Sequence, residues 1–404
     1  MIRICRPVLS ERDGHSRVTA DIVVDGRSCP LWAEVEEGYA VGLCGDRSDA
    51  FVVGLLGFAI RFGHDIEFEA PMTDLLRDQL ENDFIDVLCQ HEPRLRRVRL
   101  SGPVTRPIPK TRTVRGMGLS CGIDCLYTVR RRMSDASLGE RYFLMTDAHF
   151  QGPKSTPEGV ARSFGSLYET GREFADEMGI PLIVVRSNWG AALPGLTIYD
   201  NATYCNAFCA LMLQNLLTHY YIAASGPIDE FARSYFKRGA LGTDCSDFDL
   251  LSLQAYSSPS LRFIADGMVN RIDKVRSLVD WPSCWSYLDV CGKHHRATRG
   301  NDTNDCEKCM RTVCEIIAVG GLAALDRFER VFDVAYVRSH RAEYLAYLIC
   351  HRLKRSEYGP EMWCARAREG CGLGEYLKAA FIIVRKAVRK VFRDSKPPRS
   401  WADI

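Results

Sequence analysis

The stretch Val114-Arg115-Gly116-Met117-Gly118-Leu119-Ser120-Cys121-Gly122-Ile123-Asp124-Cys125-Leu126-Tyr127-Thr128 decides how this chain is read. Gly116 leads into a short apolar run, Met117 to Leu119, which meets Ser120-Cys121-Gly122-Ile123-Asp124-Cys125; Leu126-Tyr127-Thr128-Val129 then opens a helical pattern. A strand that breaks at a small, Gly-bearing turn and enters a helix offers backbone N–H groups backed by the positive end of the helix dipole. Such a turn suits phosphate or pyrophosphate. The spacing fits neither a Walker loop, with its closing Gly-Lys-Ser/Thr, nor a Gly-x-Gly-x-x-Gly turn with an acidic residue about 20 positions on. The plain alternative is an ordinary strand-turn-helix junction capped by Asp124.

Outward from the turn, residues 112–275 alternate strand and helix. Strand composition falls at Arg115 to Leu119, Tyr142 to Thr146, Pro181 to Arg186 and Tyr220 to Ala224, and helical stretches at Leu126 to Ser134, Glu158 to Met178 and Tyr204 to Thr218. This order predicts an α/β fold with a mostly parallel, doubly wound sheet and the turn at the carboxyl end of its first strand, where open sheets bind ligands. Residues 1–108 read as a small N-terminal α/β module. It has strands at Val18 to Val24 and Leu31 to Val35 around Asp25-Gly26-Arg27-Ser28, a helix from Ser48-Asp49 to Gly63, a helix over Met72 to Cys89, and a linker holding Pro103, Pro107 and Pro109.

The chain has 404 residues and a formal net charge of +2, so no global pull toward nucleic acid or membrane is expected. The N-terminus lacks a signal-peptide core and no apolar run approaches the ~20 residues of a membrane span, which points to the cytoplasm. The last 29 residues carry eight Lys/Arg against two Asp. Phe381, Val384, Val388, Val391 and Phe392 lie there at helical spacing, so the basic residues take the opposite face of an amphipathic tail closing a helical region, 321–404. A solvated basic face is expected, with a membrane-surface or RNA contact as the alternative.

Seventeen cysteines in a reducing compartment turn attention to metal. In the segment 276–320, Cys306-Glu307-Lys308-Cys309 lets two thiolates reach one ion from a tight turn, and Cys284 and Cys291 complete a four-thiolate set for a closed, structural zinc site. His294 and His295 compete for the fourth position, and Cys314 is a further candidate.

The order Ser-x-Gly-x-Asp-x at 120–125 resembles the SGGxDS loop of N-type ATP pyrophosphatases, the PP-loop superfamily. Together with the Cys cluster it looks like the 7-cyano-7-deazaguanine synthase branch, in a longer QueC-like form with a leading module and a downstream Glu-Lys-Cys-Leu-Arg-Thr-like run, here Glu307-Lys308-Cys309-Met310-Arg311-Thr312. Gly242-Thr243-Asp244-Cys245 is similar to the family's substrate-loop Asp-Cys element, and Arg271-Ile272-Asp273-Lys274-Val275 falls where the family carries a phosphate-approaching lysine. Three departures stand out: Cys121 replaces a family glycine, Cys125 the closing serine, and Thr303 an expected cysteine.

The resemblance implies an adenine nucleotide alpha-hydrolase-like fold and an ATP-dependent adenylating enzyme that uses ATP, Mg²⁺ and Zn²⁺. Ser120, Cys121, Gly122, Ile123, Asp124 and Cys125 would hold the nucleotide, while Lys274, Arg271 and Asp244 would serve catalysis. The expected partner is a carboxylate- or amide-bearing small molecule, such as a deazapurine, activated for attack by an amine or ammonia. Conjugation to a partner protein, in a defence or biosynthetic operon, is another form of the same chemistry. Two other classes remain. One is sulfur insertion into RNA through Cys121, Cys125 or Cys245, which the near-neutral charge disfavours; the other is a non-enzymatic nucleotide and zinc scaffold.

Overall fold

The computed structural model describes residues 1–133, 139–148, 150, 156–192, 198–229, 249–291, 306–353, 365 and 371–394. The chain divides into two compact units. One comprises Met1–Ser120 with Thr128–Val269, the other Cys121–Tyr127 with Asn270–Ile404.

The first unit is built on an 11-stranded mixed, mostly parallel sheet. Its N-terminal strands are β1 (Ile2–Ile4), β2 (Val8–Arg12), β3 (His15–Val24), β4 (Arg27–Glu36), β5 (Ile66–Phe68) and β7 (Leu100–Ser101). Its later strands are β9 (Val114–Gly118), β10 (Glu140–Thr146), β11 (Leu182–Ser187), β12 (His219–Ala223) and β13 (Arg262–Asp266). The order is β13-β12-β9-β10-β11-β4-β3-β1-β5-β7, with β2 on β3. A small separate pair joins β6 (Met72–Thr73) to β8 (Val104–Thr105), so the Pro-rich stretch read as a linker contains a strand. The helix expected over Met72 to Cys89 begins only after β6 and runs to His91 through a π-turn at Gln79–Phe84.

The expected N-terminal module and the α/β region thus share one sheet, through antiparallel pairing of Arg186 with Glu34 and Ser187 with Ala33. They also share one core. Helix α1 (Asp49–Phe62), closed by left-handed Gly63, lies on helix α4 (Ile198–Met212). A Cβ at Gly54 would stand 2.9 Å from the Phe208 ring, so glycine there permits the close approach. The β3–β4 hairpin turns at Asp25-Gly26, both at positive φ as a two-residue hairpin turn of the primed type requires.

The parallel half explains where the diagnostic turn sits in the chain. From β9 the chain runs through helix α2 (Ile123–Met133) to β10 and through α3 (Pro157–Met178) to β11. It then returns through α4 to β12, on the other side of β9, and through α5 (Asp249–Ala255) to β13. The order of connection therefore reverses between β9 and β12, the kind of switch point at which open α/β sheets take ligands.

In the second unit, residues 121–127 accompany helices α6 (Arg271–Leu278), α7 (Pro282–Tyr287), α8 (Glu307–Asp326), α9 (Val334–Ser339), α10 (Arg341–Leu353) and α11 (Leu373–Asp394). Helix α11 packs on α10 through Tyr376, Ala379, Ile382 and Ile383. This is not the face that the Phe381, Val384 and Val388 periodicity marks, and those three side chains are exposed. Among the described residues no helix is long and apolar enough to cross a membrane.

Candidate functional site

The turn at 119–122 carries one backbone signature, Cys121 at φ +53°. That is left-handed backbone, costly for a residue with a Cβ and ordinary for glycine. The position where the resembled loop has glycine is therefore one at which this chain adopts a glycine-type conformation with a cysteine. Ser120 is exposed, Gly122 and Asp124 are partly exposed, and Cys121, Ile123 and Cys125 are buried. The first helical bond of α2 runs from Leu126 N to Gly122 O at 2.9 Å, so the amides of residues 123–125 lie ahead of the intrahelical ladder.

Asp124 is the hub of an ion cluster in the second unit. Lys274 donates from Nζ to Asp124 Oδ1 at 2.7 Å, and Arg271 Nη1 donates to Asp124 Oδ2 at 2.8 Å. Arg271 is held in turn from α8: its Nε donates to Glu315 at 3.1 Å and its Nη2 to the Thr312 hydroxyl at 3.3 Å. The Lys274 side chain is 0 % exposed and that of Arg271 6 %, whereas Asp124 keeps 29 %. The carboxylate is thus the member that reaches solvent, and the two cations stand behind it.

Desolvation pushes the Asp124 carboxyl up, but Arg271 and Lys274 outweigh it and hold the group below the ordinary aspartate range. Glu315 goes the other way. Burial raises it against the pull of Arg271 and Arg311, and its Oε1 is buried without a hydrogen-bond partner. Burial likewise holds the Cys121 thiol well above its ordinary value, with Cys125, Asp289 and Cys284 adding negative potential. A thiol so placed is protonated at neutral pH and is a poor nucleophile.

Three of the four cysteines expected as metal ligands are brought together. The sulfur atoms of Cys291, Cys306 and Cys309 lie within 4.8 Å of one another and all three residues are buried, a group that could hold a metal ion. Cys306 is the N-cap of α8, and its sulfur accepts from Cys309 N at 3.4 Å. Contacts with Cys291 and Cys306, followed by burial, raise the Cys309 thiol. Three sulfur donors, two of them from one tight turn, fit the chemistry of a tetrahedral thiolate site. Cys284 is not in this group; it sits in α7, fully buried, within electrostatic range of Cys121. His294, His295 and Thr303 lie outside the described residues, as do Asp244 and Cys245 of the expected substrate loop.

Three neighbours of the turn and its ion cluster are not singled out by the sequence: Thr312, Glu315 and Asp289. Thr312 closes the quoted Glu307-to-Thr312 run, and Glu315 lies one helical turn beyond it on the same face, which was the only available signal. Asp289 donates its backbone N–H to Cys121 O at 2.8 Å, two residues before Cys291 of the thiol group. Comparison with protein families, with curated proteins and with solved structures finds no match.

Proposed function

We propose that this chain is a PP-loop enzyme that adenylates a carboxylate or amide group with ATP, on a doubly wound sheet of the adenine nucleotide alpha-hydrolase-like kind. The observation that carries the reading is the 120–125 turn. It follows the strand at which the sheet order reverses, has a glycine-type conformation at Cys121, and presents an Asp124 backed by Lys274 and Arg271. In the proposed reaction a substrate oxygen attacks the α-phosphorus of ATP, pyrophosphate leaves, and an amine or ammonia then displaces AMP from the activated carbon. The amides of Gly122 to Cys125 and the Ser120 hydroxyl would hold the phosphates, and Mg²⁺ would offset their charge.

The burial of Lys274 and Arg271 refines their role. As placed, both neutralise and orient Asp124, which lets a polyanion approach a loop that would otherwise present a carboxylate. Zinc on Cys291, Cys306 and Cys309 is proposed as a structural ion. The buried, protonated Cys121 weighs against a sulfur-transfer role.

The test is ATP–pyrophosphate exchange together with an ATP·Mg thermal shift on wild type and Gly122→Val. Wild type is expected to show both signals, and the variant to lose them while keeping its fold. An identical response to ATP in the two proteins refutes the assignment of residues 120–125. ATP-independent behaviour of a well-folded wild type favours the scaffold class.

A further inference from the structure

Helix α11 carries two apolar faces and buries only one. Ala379, Tyr376, Ile382 and Ile383 lie against Leu345, Ala346 and Ile349 of α10. The other face runs Leu373, Leu377, Phe381, Val384 and Val388, at spacings of four, four, three and four, with exposures between 49 and 77 %. At 3.6 residues per turn these five positions fall within an arc of about 80°. A stripe of large apolar side chains standing in solvent along most of a 22-residue helix asks for a covering surface.

The charge pattern says which. From Tyr376 to Arg393 the sequence has six Lys/Arg and no Asp or Glu. Lys378, Arg385 and Lys386 are exposed, and Lys378 and Arg385 follow one edge of the stripe. In the groove of about 610 Å³ beside Leu377 and Phe381, three cations, Arg338, Arg341 and Lys378, stand against Glu343 and Glu375. A second copy seated stripe to stripe would cover the apolar side chains but leave the cations of both copies without counter-charges, because the six lie away from the stripe. A nucleic acid would satisfy the cations and leave the stripe wet. A bilayer with anionic headgroups satisfies both at once. The helix would lie along the surface for about 33 Å, apolar stripe in the acyl boundary and cations at headgroup level.

The geometry points to α11 as a docking element for anionic membrane surfaces, holding the protein on a bilayer without spanning it. The test uses the full chain and co-sedimentation with vesicles of phosphatidylcholine alone or with about 30 mol % phosphatidylglycerol, at about 0.1 and 0.5 M salt. Wild type is expected to bind the anionic vesicles at least ten-fold more tightly than the neutral ones, and to be released by salt. The triple change Lys378→Gln, Arg385→Gln, Lys386→Gln should weaken binding about 100-fold, at roughly five-fold per cation. Phe381→Glu with Val384→Glu should abolish it; both positions are exposed, so the fold is kept. Val41→Glu, an exposed apolar position on the other unit, should bind as wild type. Failure of wild type to bind anionic vesicles overturns the proposal. So does unchanged binding by the stripe variant, or a self-association or RNA complex that the stripe variant loses while vesicles remain unbound.

Discussion

Replacing Cys121 by glycine and by alanine inverts an ordinary rule and so tests the turn directly. In right-handed helical or extended backbone, alanine is more stable than glycine by about 0.5–1 kcal/mol, because glycine leaves the unfolded chain freer. At φ +53° a Cβ costs about 1–2 kcal/mol, which glycine does not incur. At the midpoints the difference leaves Cys121→Gly more stable than Cys121→Ala by about 0.8 kcal/mol, within limits of about 0 and 1.5 kcal/mol. Both variants lose the buried sulfur, worth about 1 kcal/mol, so alanine should fall below wild type and glycine should lie close to it. Cys121→Val should be worst, since a β-branched residue tolerates positive φ poorly. Urea unfolding followed by tryptophan fluorescence is a suitable assay, because Trp281 and Trp285 lie in the same unit as Cys121. For a unit of this size the Gly–Ala gap corresponds to roughly 1–4 °C in Tm. If alanine equals or exceeds glycine, the left-handed conformation at 121 is refuted, and with it the argument that this turn is built like a glycine-bearing phosphate loop.

Two further outcomes are expected. Metal analysis by plasma emission should find about one zinc per chain in wild type and in Cys284→Ser, and none in Cys306→Ser with Cys309→Ser; equal metal in wild type and the double variant removes the thiolate site. Asp124→Asn should cost about 3 kcal/mol near neutral pH, because it removes the carboxylate that faces buried Lys274 and one of the two that face buried Arg271. The Asp124 pKa is depressed, so its contribution is complete above the ordinary carboxylate range and is lost as pH falls through the lowered folded value. The gap between wild type and variant should therefore close only in acid, as read from urea midpoints across pH, and a gap independent of pH refutes the ion cluster.

What the sequence made legible, and what it hid, divides along physical lines. The alternation around β9 to β12 and a turn at Asp25-Gly26 are local signals, and both form close to where they are read, although Arg27 and Ser28 belong to β4 and not to the turn. Strand β2 has no buried residue, so no apolar alternation could mark it, and β13 is framed by Arg262 and Asp266, which leaves an apolar run of only three residues. The β11–β4 pairing joins segments about 150 residues apart, and nothing in either strand names its neighbour. In the site, the turn pattern marked Asp124 and the family resemblance implied Arg271 and Lys274, whereas Glu315 is defined by a partner 44 residues away in sequence. Cys284 and Cys291 were equivalent by spacing; they part because Cys284 lies inside α7 and Cys291 in the non-helical segment beyond it. In α11, periodicity reports that an apolar face exists, not which face is covered. Small Ala379 and Ala346 allow close approach to α10, and the bulkier stripe is left outside.

The hidden contacts bind the two sequence motifs into one device. Residue 121 is held by its carbonyl from Asp289, two residues ahead of Cys291. Residue 124 is held through Arg271 by Thr312 and Glu315, three and six residues after Cys309 on the helix that Cys306 caps. The segment before one of the three clustered thiols and the helix that carries the other two at its start therefore grip opposite ends of the same four-residue turn. A metal ion on the three sulfurs would fix Cys291 relative to the start of α8, and so fix both grips at once. The turn has reason to need this: Cys121 sits in a conformation its own Cβ opposes, and strained backbone persists only where surrounding contacts over-determine it. Cysteine at a glycine position is thus compatible with an ordered loop, because order is imposed from the thiol-bearing segments rather than by the freedom of a glycine.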